Sequence, residues 1–573
     1  MLKNSLFVRN ILIVITVLFS DNISVAQTYY QKLGEWQIDN TINSSQVLNL
    51  SFSKSDKIAL IGKYFSNGTP GSMNINYMSS CGNTSDFIYL DFDTAMVFNS
   101  MFRLGGLGGE TNVQNFYTGK FIKDTLLFIG DSFSPDTGCE IHSTPQGGNT
   151  DIWAVISDTV GNVKKERFIG TSFGNDGVKS SIFMDSCFIL SLYFNVTQNP
   201  NGDLWNVPPN CVSCPSGSNF LNLSTFNYSL QKINEKYIGP VVDDLQGILM
   251  YDSIHHYVYL VGLVNTTQPN VMNVTQSGNG NDVWVMKMDE QLNLIWDKRI
   301  LTLFDEFGIA SVKFLPNGNL LIAGQTSAYY GSGLQGTPRG DQDIFIYELD
   351  TAAQLINDRC YGTAGFDAIG LCSVLKNGQI MVSIRTADGI SGDKTETSRG
   401  NQDMWYLFLD SNLDIIYQKT LGGSGVDDLI LSGIANKDEN IFEWPDGSIL
   451  VKMGSSSGVS GDKTIPASSS NPANRDIWLV RFLPGLLTGL EESPTLITAP
   501  FVFPNPTRGT ITMQVENATK FNVMQPDGRV LLQEIPNAAD QFTVDCSAWS
   551  SGVYFVEVLQ GNGTRWLNKI VKE

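Results

Sequence analysis

Histidine is nearly missing from this 573-residue chain, which has only His142, His255 and His256. So few imidazoles leave little room for a Ser-His-Asp relay or a histidine-ligated metal. Positive charge is scarce as well: 37 Lys and Arg stand against 57 Asp and Glu, for a formal net charge of −20. Without a basic stripe to neutralise phosphates, nucleic acid is not expected as a partner, and an anionic membrane surface would repel the chain. The charge suits a soluble extracellular protein kept apart from its copies by self-repulsion. Long apolar runs are lacking too. The run from Ile11 to Phe19, broken by Thr16, is well short of the ~20 residues that cross a bilayer, so no transmembrane segment is expected. Beyond it no stretch carries helical periodicity, which makes the expected class all-β.

What the chain does have is glycine, 54 residues of it, and a repeat. In Asp403 to Gly423 an acidic residue opens an apolar strand, a polar turn follows, a second strand ends in aromatic-Gln-Lys, and a glycine closes the unit about 19 positions after the opener. The frame recurs at Asp86 to Gly105, Asp151 to Gly170, Asn219 to Gly239 and Asp343 to Gly362, and from Asp282 with Leu301 where the glycine should be. A seventh opener, Asp476-Ile477-Trp478, has no second half. The missing half stands near the other end, where Tyr29-Tyr30-Gln31-Lys32-Leu33-Gly34 matches Tyr417-Gln418-Lys419-Thr420-Leu421-Gly422. Tyr29 to Leu33 should therefore pair with Asp476 to Phe482. Residues 27–484 read as a seven-bladed β-propeller of four-stranded blades, closed by the N-terminal strand.

Ahead of the repeats, Lys3 and Arg9, the Ile11 to Phe19 run and Ser24-Val25-Ala26 predict a signal peptide over 1–26. Within each repeat the first strand follows the glycine, the second is a run such as Leu320 to Gly324, the third begins at the Asp-x-Trp opener, and the fourth is the Gln-Lys run. Tight turns such as Pro316-Asn317-Gly318 and Pro445-Asp446-Gly447 join the first two. The second-to-third joins, for instance Gln325 to Gln342, Thr386 to Gln402 and Ser455 to Arg475, are long and rich in Gly, Ser and Asn. Strand alternation gathers these loops on one face, the expected binding surface.

Several groups invite chemistry. Cys211 and Cys214 have redox or zinc spacing, but with no second pair nearby a local disulfide is preferred; Cys81 and Cys139 occupy equivalent loops and could cross-pair. Cys187, Cys360, Cys372 and Cys546 fall in or beside strands and read as packed thiols. His255 and His256 fall in a turn opposite the long loops, while His142 lies in a long loop. The Asp-x-Trp openers recur once per repeat, as a turn-capping carboxylate and a tryptophan packed between blades would. Gly389-Ile390-Ser391-Gly392-Asp393-Lys394 and its copy Gly458-Val459-Ser460-Gly461-Asp462-Lys463 could hold calcium, though Asx-type turns explain them better. A further acid follows the closing position by about five residues: Asp39, Glu110, Asp176, Asp244, Asp305, Asp367 and Asp427. They are weak candidates for a calcium ring. The preferred reading is that each caps its own turn or accepts backbone N–H bonds from the neighbouring blade, which lowers its pKa and fixes blade spacing.

After a connector over 485–500, residues 501–573 form a short β-rich module with an Asp527-Gly528 hairpin, suited to a small β-sandwich. Pro504-Asn505-Pro506, Gly509, Gly528, Ser551-Gly552-Val553-Tyr554 and the run Lys569-Ile570-Val571-Lys572 resemble the type A C-terminal sorting domain of the bacterial type IX secretion system. The resemblance implies Sec export, engagement of the type IX machinery, passage through the outer membrane, and release or surface attachment. The triplets Asp93-Thr94-Ala95, Asp124-Thr125-Leu126, Asp158-Thr159-Val160 and Asp350-Thr351-Ala352 are similar to O-glycosylation sites of bacteria with this export route, though strand-end turns account for them equally. The expected function is a secreted or surface-attached, non-enzymatic scaffold for an extracellular glycan or protein, with no catalytic residue and no cofactor assigned. The alternative is a secreted carbohydrate-active hydrolase using paired carboxylates on the loop face.

Overall fold

The structure, a computed structural model, describes residues 30–38, 47–52, 58–65, 85–92, 98–104, 116–132, 151–170, 176–194, 219–241, 247–265, 281–300, 306–327, 338–429, 441–444, 447–467, 475–484, 501–503, 507–514, 518–525, 529–534, 541–560 and 565–573. Among them every regular element is a strand. The signal-peptide reading, His142, Cys81, Cys139, Cys211 and Cys214 lie outside the described residues. The chain divides into two compact units, Gln27–Leu486 and one containing Leu487–Glu573.

In the larger unit the repeat becomes a four-stranded antiparallel sheet, one sheet per period. In the sheet of Glu306–Phe314, Leu320–Ser327, Gln342–Leu349 and Leu355–Tyr361, each strand pairs with the next in the chain. The same order is seen in the sheets spanning 47–104, 116–169, 176–241, 248–300 and 367–421. The first strands of consecutive sheets touch one another from 47–52 through to 367–374. This propeller-like stacking follows from the sequence pattern, because strands apolar on both faces must be covered on both sides.

The opener tryptophans fill the space between sheets. Trp153, Trp284, Trp405 and Trp478 are buried, and each packs against the sheet before its own: Trp153 against Phe87 at 5.0 Å between rings, Trp405 in a cluster with Ile344 and Ile346, Trp478 with Met404 and Tyr406. Emptying one such site costs about 3–5 kcal/mol. The indole N–H donates to the fourth strand of its own sheet, Trp153 to Glu166 (3.2 Å), Trp284 to Asp297 (3.4 Å) and Trp405 to Gln418 (3.0 Å).

The third-to-fourth hairpins share one design. Asp158, Asn227, Asp350 and Asp410 each accept two backbone N–H bonds within the turn, and a left-handed residue then reverses the chain: Gly161, Leu230, Ala353 and Leu413. Asp158 and Asp350, with Thr159 and Thr351 exposed, therefore belong to these caps, while Thr125 donates to the Ile122 carbonyl at 2.8 Å and Leu126 is buried. Fourth strands reach the next repeat's hairpin: Arg167 donates to the Leu230 carbonyl, Asn234 to Gln291 and Asn357 to Asn412.

The last sheet contains Asp427–Asp428, Ile449–Ser455, Asp476–Pro484 and Tyr30–Ile38, with Ile441–Glu443 also on Ile449–Ser455. The chain-start strand thus fills the fourth-strand position, but in a register other than the expected one. Val480 faces Glu35 as Leu407 faces Gln418, so Glu35, not Gln31, takes the place of Gln418. Side chains agree: Thr395 N–H donates to Gln418, and Thr464 N–H to Glu35 at 3.0 Å. The bulge between Lys32 and Gly34 falls opposite Phe482, where the preceding sheet has its own opposite Leu409, so the strand follows the fourth-strand pattern of that sheet. Ile38 then holds the place of Leu421.

In the smaller unit, a sheet of Phe501–Phe503, Thr510–Gln514 and Gln541–Asp545 and one of Val530–Glu534, Ala518–Met524, Gly552–Gln560 and Arg565–Lys572 share a core of Ile511, Phe521, Val523, Val544, Tyr554, Val556 and Ile570.

Candidate functional site

The long loops are described most fully where the 306–361, 367–421 and last sheets meet. There the opener and the closing glycine explain one another. Asp343 is buried, and its Oδ2 accepts the backbone N–H groups of Arg339 and Gly340; Asp403 does the same for Arg399. The other carboxylate oxygen lies against the closing glycine: a Cβ on Gly362 would sit 1.8 Å from Asp343 Oδ1, and one on Gly422 2.0 Å from Asp403 Oδ1. No side chain fits there. Burial outweighs the N–H bonds, and the neighbouring Asp367 and Asp427 carboxylates add repulsion, so Asp343 and Asp403 are each pushed up to about 6.

Asp367 and Asp427, from the acid series, are wholly buried caps of their own turns. Asp367 accepts the Thr363 N–H (2.5 Å) and hydroxyl (2.8 Å); Asp427 accepts the Gly423 N–H and the Ser457 hydroxyl, both at 2.7 Å. The expected fall in pKa is overturned for Asp367, which burial raises despite these bonds. Asp176 begins its strand, and Glu110, Asp244 and Asp305, like Asp39, lie outside the described residues. Among the described residues no group of three or more His, Cys, Asp or Glu is placed to hold a metal.

The paired loop motifs join one repeat to the next. Gly392 and Gly461 take left-handed φ values of 55° and 56°, and a Cβ on either would strike the carbonyl of Gly362 or Gly422. That tight turn lets the Asp393 N–H donate to the Gly362 carbonyl (2.9 Å) while its carboxylate accepts the Gly362 N–H (3.1 Å) and pairs with Arg339 (2.9 Å). Asp462 repeats this on Gly422 (2.8 and 3.2 Å) and Arg399 (3.0 Å). Lys394 and Lys463 are buried beneath, donating to the carbonyls of Asp388 (2.6 Å) and Ser457 (2.7 Å). What the clasps leave outward is apolar: Ile390 and Val459, at equivalent positions, are 64% and 65% exposed.

Cys187, Cys360, Cys372 and Cys546 are buried. His255 and His256 are exposed in the expected turn, but His256 also meets Tyr251 and Glu290 beside a cleft. Nothing in the sequence signalled that cleft, since its residues come from two repeats.

In the smaller unit Thr507 clamps the strand Arg565–Lys572: its N–H donates to the Val571 carbonyl (2.8 Å), its own carbonyl accepts the Glu573 N–H (2.9 Å), and Arg508 pairs with Glu573. Gly509 accepts the Cys546 N–H (2.6 Å), Tyr554 donates to the Ser550 carbonyl, Gly552 pairs with Lys572, and Lys569 pairs with Phe555. Pro504, Asn505, Pro506 and Gly528 lie outside the described residues. Residues 501–573 match the family of secretion system C-terminal sorting domains. The chain is a type IX secretion cargo. The sorting domain implies interaction with that machinery and export to a secreted or surface location. Among the described residues no helix is long and apolar enough to cross a membrane.

No curated protein matches the chain in sequence. Solved structures similar to it include a protein of unknown function from Dyadobacter fermentans DSM 18053 (10% identity, 79% of this chain and 99% of that one, TM-score 0.34) and a DUF4221 member from Bacteroides vulgatus ATCC 8482 (8%, 80% and 98%, 0.33). A third is the GH93 α-L-arabinofuranosidase of Fusarium graminearum in complex with arabinobiose (12%, 62% and 92%, 0.34). Scores this low transfer neither architecture nor activity.

Proposed function

We propose that this cargo is a non-enzymatic binding scaffold: a seven-bladed propeller over 27–484, closed by its N-terminal strand, that presents long loops to an extracellular glycan or protein. A signal peptide over 1–26 starts its export, 485–500 is the linker, and a β-sandwich over 501–573 directs the type IX step. The binding role needs no cofactor and no calcium.

One observation carries the reading. The carboxylates that recur with the repeat are consumed within the described junctions: Asp343, Asp367, Asp403 and Asp427 are buried caps, and Asp393 and Asp462 hold neighbouring repeats together. A glycosidase needs two carboxylates facing a substrate across ~5–10 Å, whereas these are spread evenly, repeat by repeat, and face inward. Rigid loops with apolar tips suit recognition.

The test is a glycan and surface-protein binding screen on the exported chain, beside Ile390→Asp/Val459→Asp. A ligand lost by the double variant at unchanged melting temperature supports the scaffold. Polysaccharide cleavage by the wild type, abolished by an Asp→Asn change on the loop face, would establish the hydrolase instead.

A further inference from the structure

On the face opposite the long loops, a cleft of about 510 Å³ opens between the 176–241 and 248–300 sheets. One wall is the turn from Met184 to Cys187 with Thr225 and Ile233; the other is Tyr251, His256 and Glu290 of the next repeat. The volume suits a single residue-sized ligand.

Two carboxylates, Asp185 and Glu290, line it beside the neutral polar side chains of Ser186, Thr225, Asn234, Tyr251 and Gln291 and the His256 ring. Tyr251 O–H donates to Glu290 Oε1 (2.6 Å), and His256 Nδ1 lies 2.9 Å from the same oxygen. With the carboxylate as acceptor, Nδ1 is the donor in that contact. These two bonds, Tyr251 first, hold the Glu290 carboxyl below its ordinary range, so it is an anion at neutral pH. Asp185 stands exposed on the opposite rim with no ion pair among the described residues. No Lys or Arg lines the cleft. At its floor Thr225 is 3% exposed, and its hydroxyl has no hydrogen-bond partner. A buried hydroxyl left unmatched is unfavourable, and a ligand reaching the floor would satisfy it. Beside it Ile233, 52% exposed, and Met184 offer an apolar wall.

Two carboxylates and an unmatched hydroxyl, with an aliphatic wall and no Lys or Arg, call for a donor-rich positive group on a methylene stem. We propose that this cleft binds an alkyl ammonium or guanidinium group, supplied by a Lys or Arg side chain of a protein partner or by a free amine. The site is separate from the loop face, so its success or failure leaves the scaffold reading untouched.

The test is calorimetric titration of the full chain with n-butylammonium, with N-acetyl-lysine methylamide, and with the Nε-acetylated form of the latter, which has the same stem without the charge. Saturable binding of the charged probes, at least about tenfold weaker for the neutral one, is expected. Glu290→Gln and Asp185→Asn should each weaken the charged probes about tenfold, and Thr225→Val should weaken them at unchanged melting temperature. The lysine amide binding more tightly than butylammonium assigns the site to a protein side chain; equal affinities assign it to a free amine. Neutral and charged probes binding alike, no saturable binding, or wild-type affinity in the Asp185→Asn/Glu290→Gln variant overturns the proposal.

Discussion

The repeat opened by Asp282 and those opened by Asp343 and Asp403 bury the same side chain in two ways. In the latter pair a glycine closes the repeat, and the carboxylate settles against its backbone with N–H donors but, among the described residues, no ion pair. In the Asp282 repeat the closing residue is Leu301, and the carboxylate pairs with Arg299, both side chains being at most 5% exposed. Strand pairing sets Arg299 opposite Trp284, the place held by Thr420 and Cys360 in the other two. A buried carboxylate thus needs either a bare backbone or a guanidinium, and the residue at the closing position goes with the choice.

The sharpest way to break the comparison is Arg299→Leu. It leaves Asp282 without its guanidinium in a dry site, and the expected cost in chemical denaturation is about 3–5 kcal/mol. Asp282→Leu/Arg299→Leu should recover most of it. A loss below about 1 kcal/mol for the single change would mean that Asp282 does not depend on the pair.

Next comes Gly422→Ala. The added methyl would meet Asp403 at 2.0 Å from Oδ1 and 2.3 Å from Cγ, and about 2–3 kcal/mol is expected. Combined with Asp403→Ala, the two losses should fall short of their sum. Gly318→Ala is the control, since Gly318 is left-handed at φ 85° with nothing within 4 Å of a new Cβ; strain alone should cost about 1 kcal/mol. Additive losses for Gly422 and Asp403 would remove the steric explanation.

The pH dependence separates the two solutions more gently. Asp343 and Asp403 titrate near 6 in the fold, above the unfolded value of 3.8. The folded state therefore binds protons more tightly. The stability these groups contribute is complete below 3.8 and is lost as pH rises through 6. Between pH 7 and 5 each should add about 1 kcal/mol, and Asp403→Asn should remove its share. Asp252, Asp289 and Glu290 have lowered pKa values, so their contribution is present above the unfolded carboxylate range and fades only below it, outside this window. An unchanged pH slope in Asp403→Asn would show that this carboxylate is charged throughout.

Much of this was legible from period and composition. A spacing of about 19 residues from opener to closing position marked most of the sheets, and at Asp343/Gly362 and Asp403/Gly422 it brings the two strands back to one level, where the carboxylate meets the glycine. The spacing could not say why glycine, which depends on a contact between sheet neighbours. The chain-start strand was recognised from Gln31-Lys32, yet its pairing is displaced by four residues and gives the role to Glu35. Similar residues within one strand are indistinguishable until pairing is known. The Ser-Gly-Asp-Lys motifs read as local turns because Gly362 and Arg339, partners of Asp393, lie 31 and 54 positions away. Likewise the cleft joins Thr225 to Glu290 across two repeats whose sequences share no motif there.

The smallest effect concerns those motifs. Asp393→Asn keeps an oxygen for the Gly362 N–H and loses only the charge attraction to Arg339, in a pair whose side chains are 18% and 29% exposed. Solvent screens such a pair, so the expected cost is below about 1 kcal/mol. Asp462→Asn should behave alike or be slightly stabilising, because burial already raises the Asp462 carboxyl even with Arg399 beside it. Asp393→Ala should cost more, about 1–3 kcal/mol, since the buried end of the clasp then loses its acceptor. None of these values should change between EDTA and added calcium, because both carboxylates are occupied by an amide and a guanidinium. If calcium instead raises the wild-type melting temperature, and Asp393→Asn or Asp462→Asn loses that response while matching wild type in EDTA, the clasps are cation sites. Arg339 and Arg399 would then be standing where the ion binds.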